Sequence, residues 1–195
     1  MEKLKSVLGF GSILADHDIE AISILFEKKY FKANEMIQNL DKITSRVGFV
    51  DEGIVRVYTN GKDDLEVTKY FVRENQFFVD LESYNCSLPS KDAFQAVVST
   101  SVFFLSKTTI DQLTERIPNF YIYLKTLTEA HLLNKIKDND FLNYGNAKTK
   151  YLEFINGYPM LAQNVPQQYI ASYLKITPQS LSRLRNQIVK RDKSI

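Results

Sequence analysis

The sequence predicts an α+β protein: an antiparallel β-roll, then a long helix, then a C-terminal helix-turn-helix. Three observations carry this. Short β-type runs broken by turn residues fill the chain from Lys28 to Leu105. From Pro118 to Asn143 there is no interior glycine or proline. Finally, Val165 to Ile188 sets one small and five apolar residues at the offsets that two steeply crossed helices need.

The elements follow in order. Ile19, Ile22, Leu25 and Phe26 recur at helical spacing behind Asp16 and Asp18, either of which can cap a helix from Asp16 to Phe26. Arg46–Val50 and Ile54–Tyr58 read as strands on either side of the acidic turn Asp51-Glu52-Gly53. Asn60-Gly61 predicts a tight two-residue hairpin loop, because that pair supplies positive φ, and Glu66–Val72 pairs back. Ala93–Leu105 completes a small antiparallel barrel or roll. Thr108–Ile117 forms a short helix, and Pro118 suits the first turn of the next. On that long helix Phe120, Leu124, Leu127 and His131 alternate in spacings of four and three. Such a stripe packs either on the chain's own roll or across a two-fold axis. The expected arrangement is a homodimer with these four residues in its seam. Ala147–Asn156 gives a further helix, stopped by Gly157-Tyr158-Pro159. The predicted domains are residues 1–107 (roll), 108–144 (connecting and dimerisation helices) and 145–195 (helix-turn-helix).

Composition narrows the function classes. Of 195 residues, 44% are hydrophobic and 25% charged, the balance of a folded globular chain. The N-terminus lacks the apolar core and cleavage site of a secretory signal, and no run could cross a bilayer, so a cytoplasmic location without membrane contact is expected. The single cysteine, Cys86, allows no internal disulfide and no iron–sulfur cluster. No histidine lies between Lys28 and Leu105, so a metal-dependent enzyme built inside the roll has no ligands. Gly-rich phosphate loops and nucleophile elbows are equally missing, and no catalytic residue, metal or cofactor is expected. The net charge of +2 is unevenly spread: eight basic and two acidic residues lie from Gly145 onward, giving the C-terminal quarter a footprint suited to a polyanion.

The helix-turn-helix sharpens that to DNA. Ala171 is the small residue at the crossing, and Ile170, Leu174, Ile176, Leu181 and Leu184 fill the angle between the helices. Thr177 caps the second helix and Pro178 opens it. Lys175 stands where glycine is common, so a left-handed backbone there carries some strain. Gln179, Ser180, Arg183 and Asn186 form the expected base-reading set, with arginine suited to guanine and the amides to adenine. Gln168, Thr177, Ser182 and Arg185 are placed for phosphates. The alternative function is a dimeric ligand sensor or scaffold that keeps the roll and binds no DNA.

A roll, a long helix and a C-terminal helix-turn-helix, in that order, resemble the Crp/Fnr (cyclic-AMP receptor protein/FNR-like) family of bacterial transcription regulators. The resemblance implies a dimer, an inverted-repeat DNA operator, and RNA polymerase as a partner. It also puts Gln179 and Arg183 at base-reading positions, with Pro178 where arginine is frequent. The effector pocket departs from the family pattern. The Gly-Glu-Leu turn that receives ribose is replaced by Val79-Asp80-Leu81, and the Arg-Ser-Ala step that holds the cyclic phosphate by Lys91-Asp92-Ala93. Asp92 sets a carboxylate where an anion would lie, and lysine lacks the guanidinium fork. Cyclic AMP is therefore not expected as the ligand. An effector pocket of another kind would lie near Phe77, Asp80, Lys91, Asp92 and Phe94.

Overall fold

The computed structural model describes residues 1–61, 65–143 and 145–192. Two N-terminal helices, α1 (Glu2–Leu8) and α2 (Asp16–Ser23), precede eight strands: β1 (Glu27–Phe31), β2 (Met36–Gln38), β3 (Arg46–Glu52), β4 (Val55–Asn60), β5 (Glu66–Val72), β6 (Phe77–Phe78), β7 (Ala93–Ala96) and β8 (Thr100–Ser106). A short helix, α3 (Leu81–Cys86), sits between β6 and β7. The strands form two antiparallel four-stranded sheets, ordered β1-β8-β3-β6 and β2-β7-β4-β5. Then come α4 (Lys107–Arg116), α5 (Pro118–Asn143), α6 (Ala147–Gly157), α7 (Pro159–Asn164), α8 (Gln167–Tyr173) and α9 (Pro178–Asp192).

Alternation along the strands explains the layering. In β8, Val102 and Phe104 point between the sheets, while Phe103 and Leu105 point outward onto α1, α2, α4 and α5. Both faces are buried, so the run Val102–Leu105 is uniformly apolar. The space between the sheets is filled by Ile37, Val50, Val55, Val57, Phe78, Phe94 and Phe104 among others. Gly48 is needed there: a Cβ on it would come within 2.3 Å of the Phe78 ring. The turn through Gly53, with φ +99, carries the chain from one sheet to the other against Thr100.

Several local expectations shift. Ala15, not an aspartate, is the N-cap of α2, and Asp16 and Asp18 lie in its first turn, where a negative charge meets the helix dipole favourably. The β4–β5 hairpin does not turn at Asn60-Gly61. Asn60 pairs with Glu66, Gly61 N–H donates to the Leu65 carbonyl at 2.8 Å, and Gly61 keeps an ordinary φ, so pairing continues past the predicted two-residue turn. Helices α1, α3 and α7 carry no periodic pattern that the sequence alone makes visible.

The long helix α5 is present over the expected range, but its predicted stripe faces inward. Phe120 is 2% exposed, Leu124 and Leu127 pack on the same core of α1, α2 and β8 residues, and His131 is half-buried. Phe120, Leu124 and Leu127 thus pack against α1, α2 and the roll of the same chain. The opposite face leaves Ile122, Leu132, Leu133 and Ile136 more than half exposed.

Helices α6 to α9 gather around Phe154, Leu161, Ile170, Ala171, Tyr173, Leu174 and Leu181. That cluster also contains Ile54, Phe71 and Val97 from the outer face of the second sheet. The predicted boundary at residue 144 lies outside the described residues, and Ile54, Phe71 and Val97 from before it share a buried cluster with the C-terminal helices after it.

Candidate nucleic-acid interface

Helix α8 closes with Lys175 at φ +56. Lys175 N–H donates to the Ser172 carbonyl at 3.1 Å, and Ile176 N–H reaches back to the Ala171 carbonyl at 3.0 Å. This pair of bonds is the Schellman arrangement, usually built on glycine. Here lysine adopts it. The turn then delivers Thr177, whose Oγ1 accepts from Ser180 N–H at 3.1 Å and so caps α9. Ala171, Leu174 and Leu181 are fully buried where α8 and α9 cross, so a side chain larger than alanine at 171 would force the helices apart.

With Leu181 turned inward, the 100° step of a helix places Gln179, Ser182, Arg183 and Asn186 on the opposite face. All four are exposed. Ser182, expected at the phosphates, thus shares the face of the expected readers. Ser180 lies off it and half-buried, with its hydroxyl 2.9 Å from Thr177 Oγ1. Ser180 is held by the cap. Gln168 and Thr177 are exposed beside this face and Arg185 flanks the buried stripe, half-exposed. Among the described residues no ion pair neutralises Arg183 or Arg185.

Of the five candidate effector residues, Asp80 and Asp92 are linked through Ser90, whose hydroxyl donates to the Asp80 carboxylate and accepts from Asp92 N–H, whereas Phe77 and Phe94 belong to separate core clusters. Phe77 points out of the roll, 4.9 Å from the Phe49 ring centroid and 6.4 Å from that of Phe26. Phe94 is core, 1% exposed and 5.3 Å from Phe78. The Asp80 carboxylate is occupied, accepting from Ser83 N–H at 3.1 Å as the cap of α3 and from the Ser90 hydroxyl. Asp92 is paired with Lys69 at 2.6 Å. Lys91 is exposed, 3.7 Å from Glu82. Burial, and after it the charges of Asp92 and Asp80, raise the Tyr70 phenol well above its ordinary range. The gap bounded by Ile37, Thr44, Arg46, Phe78, Phe94 and Phe104 holds about 10 Å³, room for no more than a water. Sequence reasoning missed Arg46, whose guanidinium lies 4.0 Å from the Phe104 ring at the edge of this gap. No local pattern marks it.

Among the described residues no three His, Cys, Asp or Glu side chains are grouped to hold a metal, and no helix is long and apolar enough to cross a membrane.

A roll of two four-stranded sheets, a long helix and a C-terminal helix-turn-helix together make the fold of the Crp/Fnr regulators. FixK2 from Bradyrhizobium japonicum is similar over 86% of both chains, with a TM-score of 0.73 and 18% identity. CLP, the cyclic-di-GMP-responsive global regulator of Xanthomonas campestris, gives a TM-score of 0.70 at 12% identity, over 91% of this chain and 93% of that one. The catabolite activator protein of Thermus thermophilus covers 95% of this chain and 88% of its own, with a TM-score of 0.58 and 17% identity. No protein-family model and no curated protein matches the sequence.

Proposed function

We propose that the protein is a dimeric, sequence-specific DNA-binding transcription regulator that reads DNA with α9 and does not respond to cyclic AMP. The observation that carries the reading is the face of α9 opposite buried Leu181. Gln179, Ser182, Arg183 and Asn186 stand there together in solvent, on a helix fixed by a capped turn. A helix so presented fits the major groove, and Arg183 can pair with guanine O6 and N7. Gln168, Thr177 and Arg185 supply phosphate contacts around it.

The dimer in this reading uses the outer face of α5. Ile122, Leu133 and Ile136 lie within a narrow angular range on the helix, opposite the inward stripe, and offer an apolar seam to a second copy. Indifference to cyclic AMP follows from the filled roll, the occupied Asp80 and the Asp92–Lys69 pair. The test is selection of genomic DNA fragments by the purified protein at physiological salt. An inverted repeat with half-sites about one helical turn, roughly 34 Å, apart is expected. Recovery of fragments with no shared motif would refute sequence-specific reading.

A further inference from the structure

The helix-turn-helix is joined to the roll by an arginine that none of its DNA contacts require. Arg56 lies on β4 and is 1% exposed, the largest fully buried side chain described. A guanidinium out of water is costly unless its donors are used. Here they are. Nε donates to Thr68 Oγ1 at 2.9 Å and Nη1 to Glu66 Oε2 at 2.6 Å. Its guanidinium carbon lies over the ring of Tyr58, at 4.4 Å from the centroid, and over that of Tyr169, at 3.8 Å. Tyr58 belongs to the roll, whereas Tyr169 belongs to α8 and follows the candidate phosphate contact Gln168.

Around this stack the same two surfaces are sewn together. Strand β5 ends its sheet, so its outer N–H groups have no strand to meet. A bulge at Lys69 shifts its register, and beside it Thr68 N–H donates to Ser172 Oγ of α8 at 2.9 Å. Phe71 meets Tyr173 edge to face at 5.5 Å, and Arg73 lies over the Tyr158 ring at 4.9 Å. All these contacts fall on α8 or on Tyr158, the residue between α6 and α7, and the outward face of α9 remains exposed. The docking is therefore compatible with DNA binding.

We infer that Arg56 is a positioning residue: in contact with the rings of both Tyr58 and Tyr169, it locks the helix-turn-helix to the edge of the roll and sets, without a ligand, the angle at which a dimer presents its two α9 helices. This rests on α9 reading DNA. A locked angle makes the dimer intolerant of operator spacing, since one added base pair rotates the second half-site by about 35°. A released one tolerates it and leaves each half-site's base preference unchanged.

The test compares the full-length wild type with Tyr169→Leu, which removes the stack, Tyr169→Phe, which retains a ring, and Ser172→Ala, which removes the strand-edge acceptor. Each is titrated with operators of native spacing, with one base pair added, and with single half-sites. The wild type and Tyr169→Phe should discriminate against the longer operator by at least about tenfold, and Tyr169→Leu by less than about threefold, with half-site affinities within about twofold of each other. Ser172→Ala should fall between. Calorimetry supplies an independent readout: one unfolding transition in the wild type, split in Tyr169→Leu as the C-terminal helices melt apart from the roll. Unchanged spacing discrimination in Tyr169→Leu, with a single transition, overturns the inference. If the wild type binds no operator at all, the DNA-reading function fails, and the lock stands or falls on the calorimetry alone.

Discussion

Replacement of Phe94 by alanine tests whether the roll is a packed core or a ligand chamber. The ring is 1% exposed, lies 5.3 Å from Phe78, and shares the inter-sheet space with Ile37, Val57 and Phe104. Neighbours held on two hydrogen-bonded sheets relax little, so truncation costs both the lost burial and the cavity left behind. For phenylalanine to alanine that is about 3–5 kcal/mol. In a protein of this size the melting temperature then falls by about 6–20 °C. Denaturant unfolding followed by circular dichroism measures it, with an unchanged slope expected because the fold is retained. Phe10→Ala, at an exposed ring, is the control and should stay within about 0.5 kcal/mol of wild type. A loss below about 1 kcal/mol for Phe94→Ala would mean that the interior is already hollow, and the case for a roll closed to effectors would fail.

Three further outcomes follow from the helices. Leu133→Glu, on the exposed face of α5, should give a folded monomer by light scattering, whereas Leu124→Asp, on the inward face, should unfold the chain rather than dissociate it; a folded monomer from Leu124→Asp would restore the inner stripe as the seam. Burial lowers the pKa of His131 below 6.5, so the unfolded chain takes up this proton first as the medium is acidified. Stability should therefore hold above pH 6.5 and decline below it, and His131→Gln should remove that component in urea titrations on either side of this value. Lys175→Gly relieves the left-handed backbone and should raise stability by about 0.5–1 kcal/mol, the strain removed less the entropy glycine loses; a destabilised variant would show that the Lys175 side chain contributes more than its backbone costs.

The parts of this fold legible in the sequence are those set by local chemistry. The span of α5 follows from the missing breakers between Pro118 and Asn143, and the turn of the helix-turn-helix from Thr177-Pro178 and the apolar offsets. The left-handed turn at Lys175 could be named beforehand because one position in that motif requires it. What failed depended on distant partners. The Asn60-Gly61 signal yielded to strand pairing that continues to Asn60–Glu66. Arg56 was unremarkable in an apolar strand, because its stacking partner Tyr169 and the acceptor Ser172 beside it lie more than a hundred residues away. In the roll, the residue types of an anion site survive in Asp80 and Lys91, but their charges are spent on neighbours or solvent.

The central claim, that α9 reads bases, is tested most directly by Arg183→Ala in competition over a set of single-base operator variants. Arg183 is exposed on the face opposite Leu181, with no carboxylate paired to it among the described residues. The substitution should cost about 1–3 kcal/mol per half-site and abolish the preference at one position, where the wild type favours guanine, leaving the other positions unchanged. A uniform loss of affinity with every base preference intact would mean that Arg183 holds phosphate, and that the face assigned to reading is wrong.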